Sequence, residues 1–436
     1  MQTIITAGGK GTRIQSIASD IPKPMLQIDG VPVLEREIKS LVRQGFKDIL
    51  ITVSHLGSVI MDYFGNGNQY GANITYYIEE EPLGNAGALF KLRSQLTESF
   101  LLLNADVVFD IDFNRMVEFH KRKGGLVTLF THPNSHPYDS GLILADKNGS
   151  VSEWLAKEDI RPEYYENRVN AGVHIVDPKV LDFIHVDVDK IGKIDVETGK
   201  IIKVDLDRQL LKPLSGTGKM FCYDSPEYVK DMGTPERFYA VERDFKNGIV
   251  EGKNLYNKQK AIFLDRDGTI NKYIGFLRNE KEFELLDGVA AAIRDINSSG
   301  YLCIVVTNQP VIARGEVSFE ELELIHHKME TLLGLEGAYI DGLYFCPHHP
   351  HKGYEGEVAE LKFDCECRKP KPGMLLQAAA DFNIDLSQSF MIGDSENDVK
   401  AGIAAGCKTV FIGDEDYGQD FTVKNLYEFV REYFIS

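Results

Sequence analysis

Thr3–Arg13 reads TIITAGGKGTR, an apolar β-type run that breaks directly into a glycine-rich loop. Gly8, Gly9 and Gly11 leave room for backbone N–H groups to approach phosphate oxygens without a Cβ in the way, and Arg13 and Lys23 supply positive charge. Outward from this loop, apolar runs alternate with amphipathic stretches: a helix is predicted over 33–44, then DILITVS, ITYYIEE and FLLLNADVVF follow. Such alternation indicates an α/β sheet with crossover helices. A second series of the same construction opens at Lys260–Thr269, KAIFLDRDGT, and continues through GYLCIVVTNQ, GLYFCP, SFMIGDS and CKTVFIG. Each run ends in a polar or glycine-rich turn at its carboxyl edge, where open α/β sheets place their ligands. Between the two series NGIVEGKNLYNKQK is polar and carries two glycines. The expected organisation is therefore an α/β domain over 1–246, a linker over 247–259 and a second α/β domain over 260–436.

A length of 436 residues suits two or three domains, each with its own core. With 66 acidic and 48 basic residues the net charge is −18, which argues against a nucleic-acid surface or attachment to an anionic membrane. Small anionic ligands must then be captured by local sites. No charged-then-apolar leader opens the chain, and no apolar run approaches the roughly 20 residues that span a bilayer, so cytoplasmic residence is expected. Six cysteines in a chain of this size do not form a disulfide framework, and Cys222, Cys303 and Cys407 read as small buried hydrophobes.

GGKGTR, then Pro22-Lys23-Pro24, then the helix at Val33, together resemble the sugar-1-phosphate nucleotidyltransferase family over roughly the first 240 residues. The resemblance implies a Rossmann-like, GT-A-like fold and assigns further segments. In Glu80–Leu89, EEPLGNAGAL, Gly84 would contact base and sugar; Asp106 at the end of FLLLNADVVF and Asp231 in KDMGTPER would hold magnesium. Asn170, opening the NAG of 170–172, would begin the sugar-binding strand. The family usually shows Glu-Lys-Pro before that strand, whereas this chain has EWLAKEDIRPEYYENRVNAG, with Lys157 as the candidate sugar-phosphate lysine. The implied reaction is attack of a sugar phosphate oxygen on the nucleotide α-phosphorus with loss of pyrophosphate, chemistry that needs charge neutralisation and in-line positioning.

In FLDRDGT two carboxylates, Asp265 and Asp267, stand two residues apart beyond an apolar strand, so that one can attack phosphorus while the other handles the proton. Thr307 and Asn308 close CIVVTN, Lys369 lies in CRKPKPG, and Asp394 and Asp398 lie in IGDSENDVKAG. The order resembles the haloacid dehalogenase superfamily, which implies a Rossmannoid fold, an aspartyl phosphate on Asp265, and magnesium held by Asp265, Asp394 and Asp267, the last through its backbone. Cys346, His348, Cys365 and Cys367 make a Cys-x-His and Cys-x-Cys set suited to a closed, structural zinc site that would fix Arg368 and Lys369. This zinc-loop form resembles the histidinol-phosphate and heptose-bisphosphate phosphatases over roughly 260–413, and by resemblance Arg266, Tyr273, Gly275, Phe276, Asn308, Gln309 and Arg368 contact the sugar. Pro310-Val311 replaces the usual Ser-Gly after Asn-Gln, and Ser395 follows Asp394 where a lysine is absent.

Joined, the halves read as consecutive steps. Removing the 7-phosphate of heptose 1,7-bisphosphate leaves a heptose 1-phosphate, the class of substrate that a sugar-1-phosphate nucleotidyltransferase accepts. The amino-terminal half resembles the guanylyltransferase type, which favours GTP and the α-anomer. CTP, UTP or dTTP, another sugar phosphate, or a nucleotide-sugar-sensing module on a working phosphatase are the alternatives. The partners expected are these small molecules, with neither nucleic acid nor membrane, and the cofactors magnesium at both sites and zinc in the second domain.

Overall fold

The computed structural model describes residues 1–9, 21–184 and 187–434. Lys10, Gly11 and Arg13 lie outside the described residues. The chain divides into two compact units, the first comprising 1–131, 143–154 and 170–254, the second 132–142, 155–169 and 255–436. Two stretches inside the range expected for the first domain are thus grouped with the second unit. Within that unit the Tyr165 N–H donates to Thr331 Oγ1 at 2.9 Å, and the Asn167 N–H donates to Glu330 Oε2 at 2.9 Å.

In the first unit the strand Thr3–Thr6 lies mid-sheet, parallel to Asp48–Val53 on one side and to Phe100–Asn104 on the other. Asn73–Ile78 extends the sheet beyond Asp48–Val53, and Val169–Val176 runs antiparallel to Phe100–Asn104. Successive side chains of a strand face opposite ways, so Ile4 and Leu102 enter one buried layer while Ile5, Leu101 and Leu103 enter the other. The helix read over 33–44 spans Val33–Arg43, with Gln44 as its carboxyl cap. FLLLNADVVF is not one strand. After Asn104 the chain turns, and Val107–Asp110 pairs antiparallel with Tyr228–Asp231 in a separate ribbon, with Asp231 opposite Val107.

The second unit repeats the construction with an all-parallel sheet. Lys260–Leu264 lies between Tyr301–Asn308 and Phe390–Gly393; Gly342–Cys346 extends one side, and Lys408–Ile412 with Phe421–Val423 the other. Both faces are covered, which is why these strands are almost wholly apolar. Cys222, Cys303 and Cys407 are buried and free of disulfides. The helix Phe319–Leu335 starts at a Ser318–Glu321 capping box, and Glu396–Ala405 at a Ser395–Asp398 capping box. Among the described residues no helix is long and apolar enough to cross a membrane.

Phe263, fully buried in the central strand of the second unit, is the severest test of that core. Phe263→Ala lowers unfolding free energy by about 3–5 kcal/mol, measured by the shift in denaturant midpoint.

Candidate active sites

In each unit the chain leaves the central strand, crosses to one side, then returns to pair on the other. The crevice at such a switch point, beyond the strands' carboxyl ends, is where doubly wound sheets bind ligands. Both candidate sites lie there.

In the second unit, Lys260–Leu264 delivers Asp265, whose N–H donates to the Ile392 carbonyl at 2.9 Å, and Phe390–Gly393 delivers Asp394. The two turns approach so closely that Gly268, at φ +88°, has no room for a side chain: a Cβ there would stand 1.8 Å from Asp394 Oδ2. Lys369, 2% exposed, places its ammonium 2.8 Å from Asp265 Oδ1, 2.5 Å from Asp398 Oδ1 and 2.8 Å from the Val306 carbonyl oxygen. Burial disfavours the charge on Lys369, but the two carboxylates override it and keep the amine protonated. Ligand oxygens of Asp265, Asp394 and Asp398 lie within 4.8 Å of one another. Burial first, then the charge of Asp398, push Asp265 up to about 7 and Asp394 up to about 6. Three carboxylates, one buried and two half-buried, against one lysine leave surplus negative charge, and the oxygen donor set fits a hard divalent cation such as magnesium.

Asp267 lies outside that carboxylate cluster. Its side chain accepts from Arg266 Nη2 at 2.7 Å, from Gln309 Nε2 at 2.8 Å and from Asn271 Nδ2 at 3.0 Å. These donors aim its carboxyl group while its backbone remains in the turn. The side-chain oxygen that joins Asp265 and Asp394 is instead that of Asp398, a residue given no role on sequence alone. Its signal was its place beside Asp394 in IGDSENDVKAG, from which no ligand role was drawn. Arg266, expected at the sugar, is fully buried between Asp267 and His326 Nε2, 3.1 Å from Nη1, and does not reach the cavity. Its long side chain satisfies the buried carboxylate instead.

The cavity, about 400 Å³, is lined among others by Asp265, Asp267, Thr307, Lys369 and Asp394 and by Tyr273, Gly275, Phe276, Asn308, Gln309 and Arg368. Thr307 Oγ1 accepts from Gln309 Nε2 at 2.9 Å. Asn308 both donates to the Lys369 carbonyl and accepts from the Lys369 N–H, each at 3.0 Å, so its amide holds the lysine's backbone.

Cys346 ends the Gly342–Cys346 strand, and Cys365 and Cys367 return to it. Cys346 Sγ lies 3.5 Å from Cys365 Sγ and 3.2 Å from Cys367 Sγ; His348 Nδ1 lies 3.6 Å from Cys346 Sγ and 3.3 Å from Cys367 Sγ. These separations are too long for a disulfide, about 2.05 Å, and are close to the edge of about 3.8 Å in a tetrahedron with Zn–S bonds of about 2.3 Å. The four side chains form one potential ligand group, and the soft sulfur and imidazole donors suit zinc. Arg368, next in sequence, donates from Nη1 to the His348 carbonyl at 3.3 Å.

In the first unit a cavity of about 1070 Å³ opens beyond Thr3–Thr6 and Phe100–Asn104, lined among others by Gly8, Gly9, Lys23, Gly84 and Asp106. Lys23, nearly buried, bonds Asp106 Oδ2 at 3.0 Å. The ribbon brings Asp231 to the same place: the Met232 N–H donates to the Asp106 carbonyl at 3.0 Å, and Gly233, which follows, lines the cavity. Burial opposes ionisation of Asp231, but Arg237 at 2.5 Å, the Gly233 N–H and Lys23 outweigh it and hold it below the usual carboxylate range. Gly84, at φ +83°, is pressed against the chain at Val204, whose carbonyl oxygen would lie 2.4 Å from an added Cβ.

Two expected sugar contacts do not line this cavity. Asn170 Oδ1 accepts from His174 Nε2 at 3.0 Å and from the Gly172 N–H at 3.4 Å, and so is satisfied within its own strand. Lys157 is paired with Asp139 in the second unit. The cavity's second described lysine is Lys203, which no sequence motif marks.

The Nucleotidyl transferase family matches residues 2–248, and the HAD-hydrolase-like family matches 366–427. The chain belongs to the nucleotidyl transferase family and, over its carboxy-terminal part, to that of the D-glycero-β-D-manno-heptose-1,7-bisphosphate 7-phosphatases. To the phosphatase of that name from Yersinia pestis it is 46% identical over 149 residues, 34% of this chain and 77% of the relative. To that from Escherichia coli K12 it is 44% identical over 149 residues, 34% of this chain and 76% of the relative. The crystal structure of HddC from Yersinia pseudotuberculosis aligns with 56% of this chain and 99% of its own at 24% identity, with a TM-score of 0.46. The protein is a bifunctional enzyme, a nucleotidyltransferase joined to a phosphatase.

Gly268→Ala displaces Asp394 by about an ångström or more and lowers phosphatase turnover at least about 10²-fold, measured as phosphate release. Elemental analysis of the purified chain finds about one zinc per chain, lost in the Cys365→Ser, Cys367→Ser double variant.

Proposed function

We propose that the protein carries out consecutive steps toward a nucleotide-activated heptose. The phosphatase would remove the 7-phosphate of D-glycero-D-manno-heptose 1,7-bisphosphate, and the nucleotidyltransferase would join the resulting heptose 1-phosphate to a nucleotide, with GTP the preferred donor. The observation that carries the reading is the 46% identity to a heptose-bisphosphate 7-phosphatase on a chain whose other half belongs to the nucleotidyl transferase family. The proposed functional divisions are 1–246 and 260–436 with a linker at 247–259, and the proposed location is the cytoplasm.

In the phosphatase, an oxygen of Asp265 attacks the phosphorus of the 7-phosphate, and the bond from phosphorus to the sugar oxygen breaks. Asp267, aimed by Arg266, Gln309 and Asn271, gives its proton to that leaving oxygen. It then takes a proton from the water that attacks the aspartyl phosphate, which frees inorganic phosphate and restores Asp265. Lys369 offsets phosphate charge and favours the ionised form of Asp265 against burial and Asp398; Thr307 and Asn308 border the same space. Tyr273, Gly275, Phe276, Gln309 and Arg368 would contact the sugar. In the transferase, the heptose phosphate oxygen attacks the α-phosphorus and the bond to the β-phosphate breaks, releasing pyrophosphate. Lys23, with Arg13 from outside the described residues, would neutralise phosphate charge, and the backbone at Gly8, Gly9 and Gly11 would approach the triphosphate. Magnesium on Asp265 and Asp394 in one site, with Asp267 contributing its backbone, and on Asp106 and Asp231 in the other, would neutralise charge on the transferring phosphoryl group. Zinc on Cys346, His348, Cys365 and Cys367 would hold Arg368 and Lys369 at the cavity.

Purified protein given heptose 1-phosphate with each of GTP, ATP, CTP, UTP and dTTP releases pyrophosphate fastest with GTP. No release with any nucleotide, while phosphatase activity persists, supports a nucleotide-sensing amino-terminal half instead. Asp265→Asn abolishes phosphate release from heptose 1,7-bisphosphate and leaves nucleotidyl transfer intact; loss of both in folded protein contradicts separate sites.

A further inference from the structure

Among the described residues that line it, the first unit's cavity carries more negative than positive charge. Glu79, Glu80, Glu81 and Asp106 line it, and Lys23 is committed to Asp106 at 3.0 Å. A nucleoside triphosphate and a sugar phosphate bring several further negative charges, which must be neutralised for one phosphate to approach another. Lys203 also lines the cavity, is exposed, and has no carboxylate partner among the described residues.

Its position is built from both sides. The Val204 N–H donates to the Leu83 carbonyl at 2.9 Å, the Ala86 N–H donates to the Val204 carbonyl at 3.1 Å, and the Leu206 N–H donates to Asn85 Oδ1 at 2.7 Å. This strip is thereby strapped across Gly84, the residue whose missing Cβ lets Val204 approach. Behind it, the Ile202 N–H donates to the Lys193 carbonyl at 2.9 Å and the Gly192 N–H to the Ile202 carbonyl at 2.9 Å, closing a hairpin with the isolated bridge between Ile194 and Ile201. Lys203 therefore stands on a backbone held in register, with its ammonium uncommitted.

We infer that Lys203 binds a phosphate group of the transferase substrates. The inference rests on the nucleotidyltransferase reading and names the cation that completes it. An uncommitted ammonium forms a charge-assisted hydrogen bond to a phosphate oxygen, and the shared chemistry allows either the sugar phosphate or the nucleotide as its source. Gly84 then has a second role: the strap it admits sets how far Lys203 reaches over the cavity.

The test compares the full-length wild type with Lys203→Ala, Lys203→Arg and, as a control on the same hairpin, Lys200→Ala. Steady-state pyrophosphate release is measured while heptose 1-phosphate and GTP are varied in turn, and calorimetric titration with each alone reads binding without turnover. Lys203→Ala raises the KM and Kd of one substrate about 10–100-fold, Lys203→Arg restores most of it, and Lys200→Ala matches wild type. Weakening confined to heptose 1-phosphate identifies the sugar phosphate as the source; weakening confined to GTP identifies the nucleotide. Unchanged constants for both in Lys203→Ala overturn the inference even if the wild type is fully active. A wild type that binds GTP but releases no pyrophosphate overturns the transferase reading alone, and the titration still decides the role of Lys203. Phosphatase activity of each variant, retained at the wild-type level, reports that the second unit has folded, and an unchanged circular-dichroism spectrum and thermal midpoint report the same of the first.

Discussion

Each unit depends on the central strand of a parallel sheet having neighbours reached by crossovers in opposite directions. Reversal leaves a crevice above the strand's carboxyl end that no crossover fills. Residues beyond the last ladder bond there are available to a ligand. Thr3–Thr6 ends in Ala7, Gly8 and Gly9 at such a crevice; Lys260–Leu264 ends in Asp265 at the other. The units differ in what they expose there. The first presents bare backbone, which suits binding of a polyphosphate. The second presents a carboxylate, which suits attack on one phosphorus.

Close approach is the second requirement, and glycine meets it. Gly268 lets one turn touch Asp394, and Gly393 lets Asp398 come within what would be 2.3 Å of a Cβ. Buried carboxylates packed so tightly repel, and Lys369 is the cation that makes the arrangement tenable. Its own placement depends on Asn308, which grips its backbone, and on the cysteine loop two residues before it. A small loop with little apolar surface cannot hold a buried lysine by packing. Four metal ligands converging within one group would give it that rigidity.

Much of the site was legible because its residues sit at the ends of apolar strands, where a polar residue stands out. Asp106, Asp265, Thr307 and Asp394 are of this kind, as is the cysteine set with its short spacing. Arg266 was misread for a physical reason: its neighbours Asp265 and Asp267 both belong to the site, but a side chain between them points elsewhere, and this one turns inward to His326. FLLLNADVVF looked like one strand because both its parts are apolar. Only pairing separates Phe100–Asn104 from Val107–Asp110, and that separation carries Asp231 to Asp106. Lys203 lay in a polar hairpin with no motif, so nothing local distinguished it.

The two α/β units, the glycine-rich loop and the sulfur ligand group were readable along the chain, because hydrophobic period, glycine placement and ligand spacing are local properties. Tertiary structure alone decided which charges meet. Asp398 joins Asp265 through Lys369, Lys157 pairs with Asp139, and Lys203 reaches the first cavity. Ionic contacts form between residues far apart in the chain, and their partners are set by strand order and by how closely backbones can approach, neither of which a local pattern encodes.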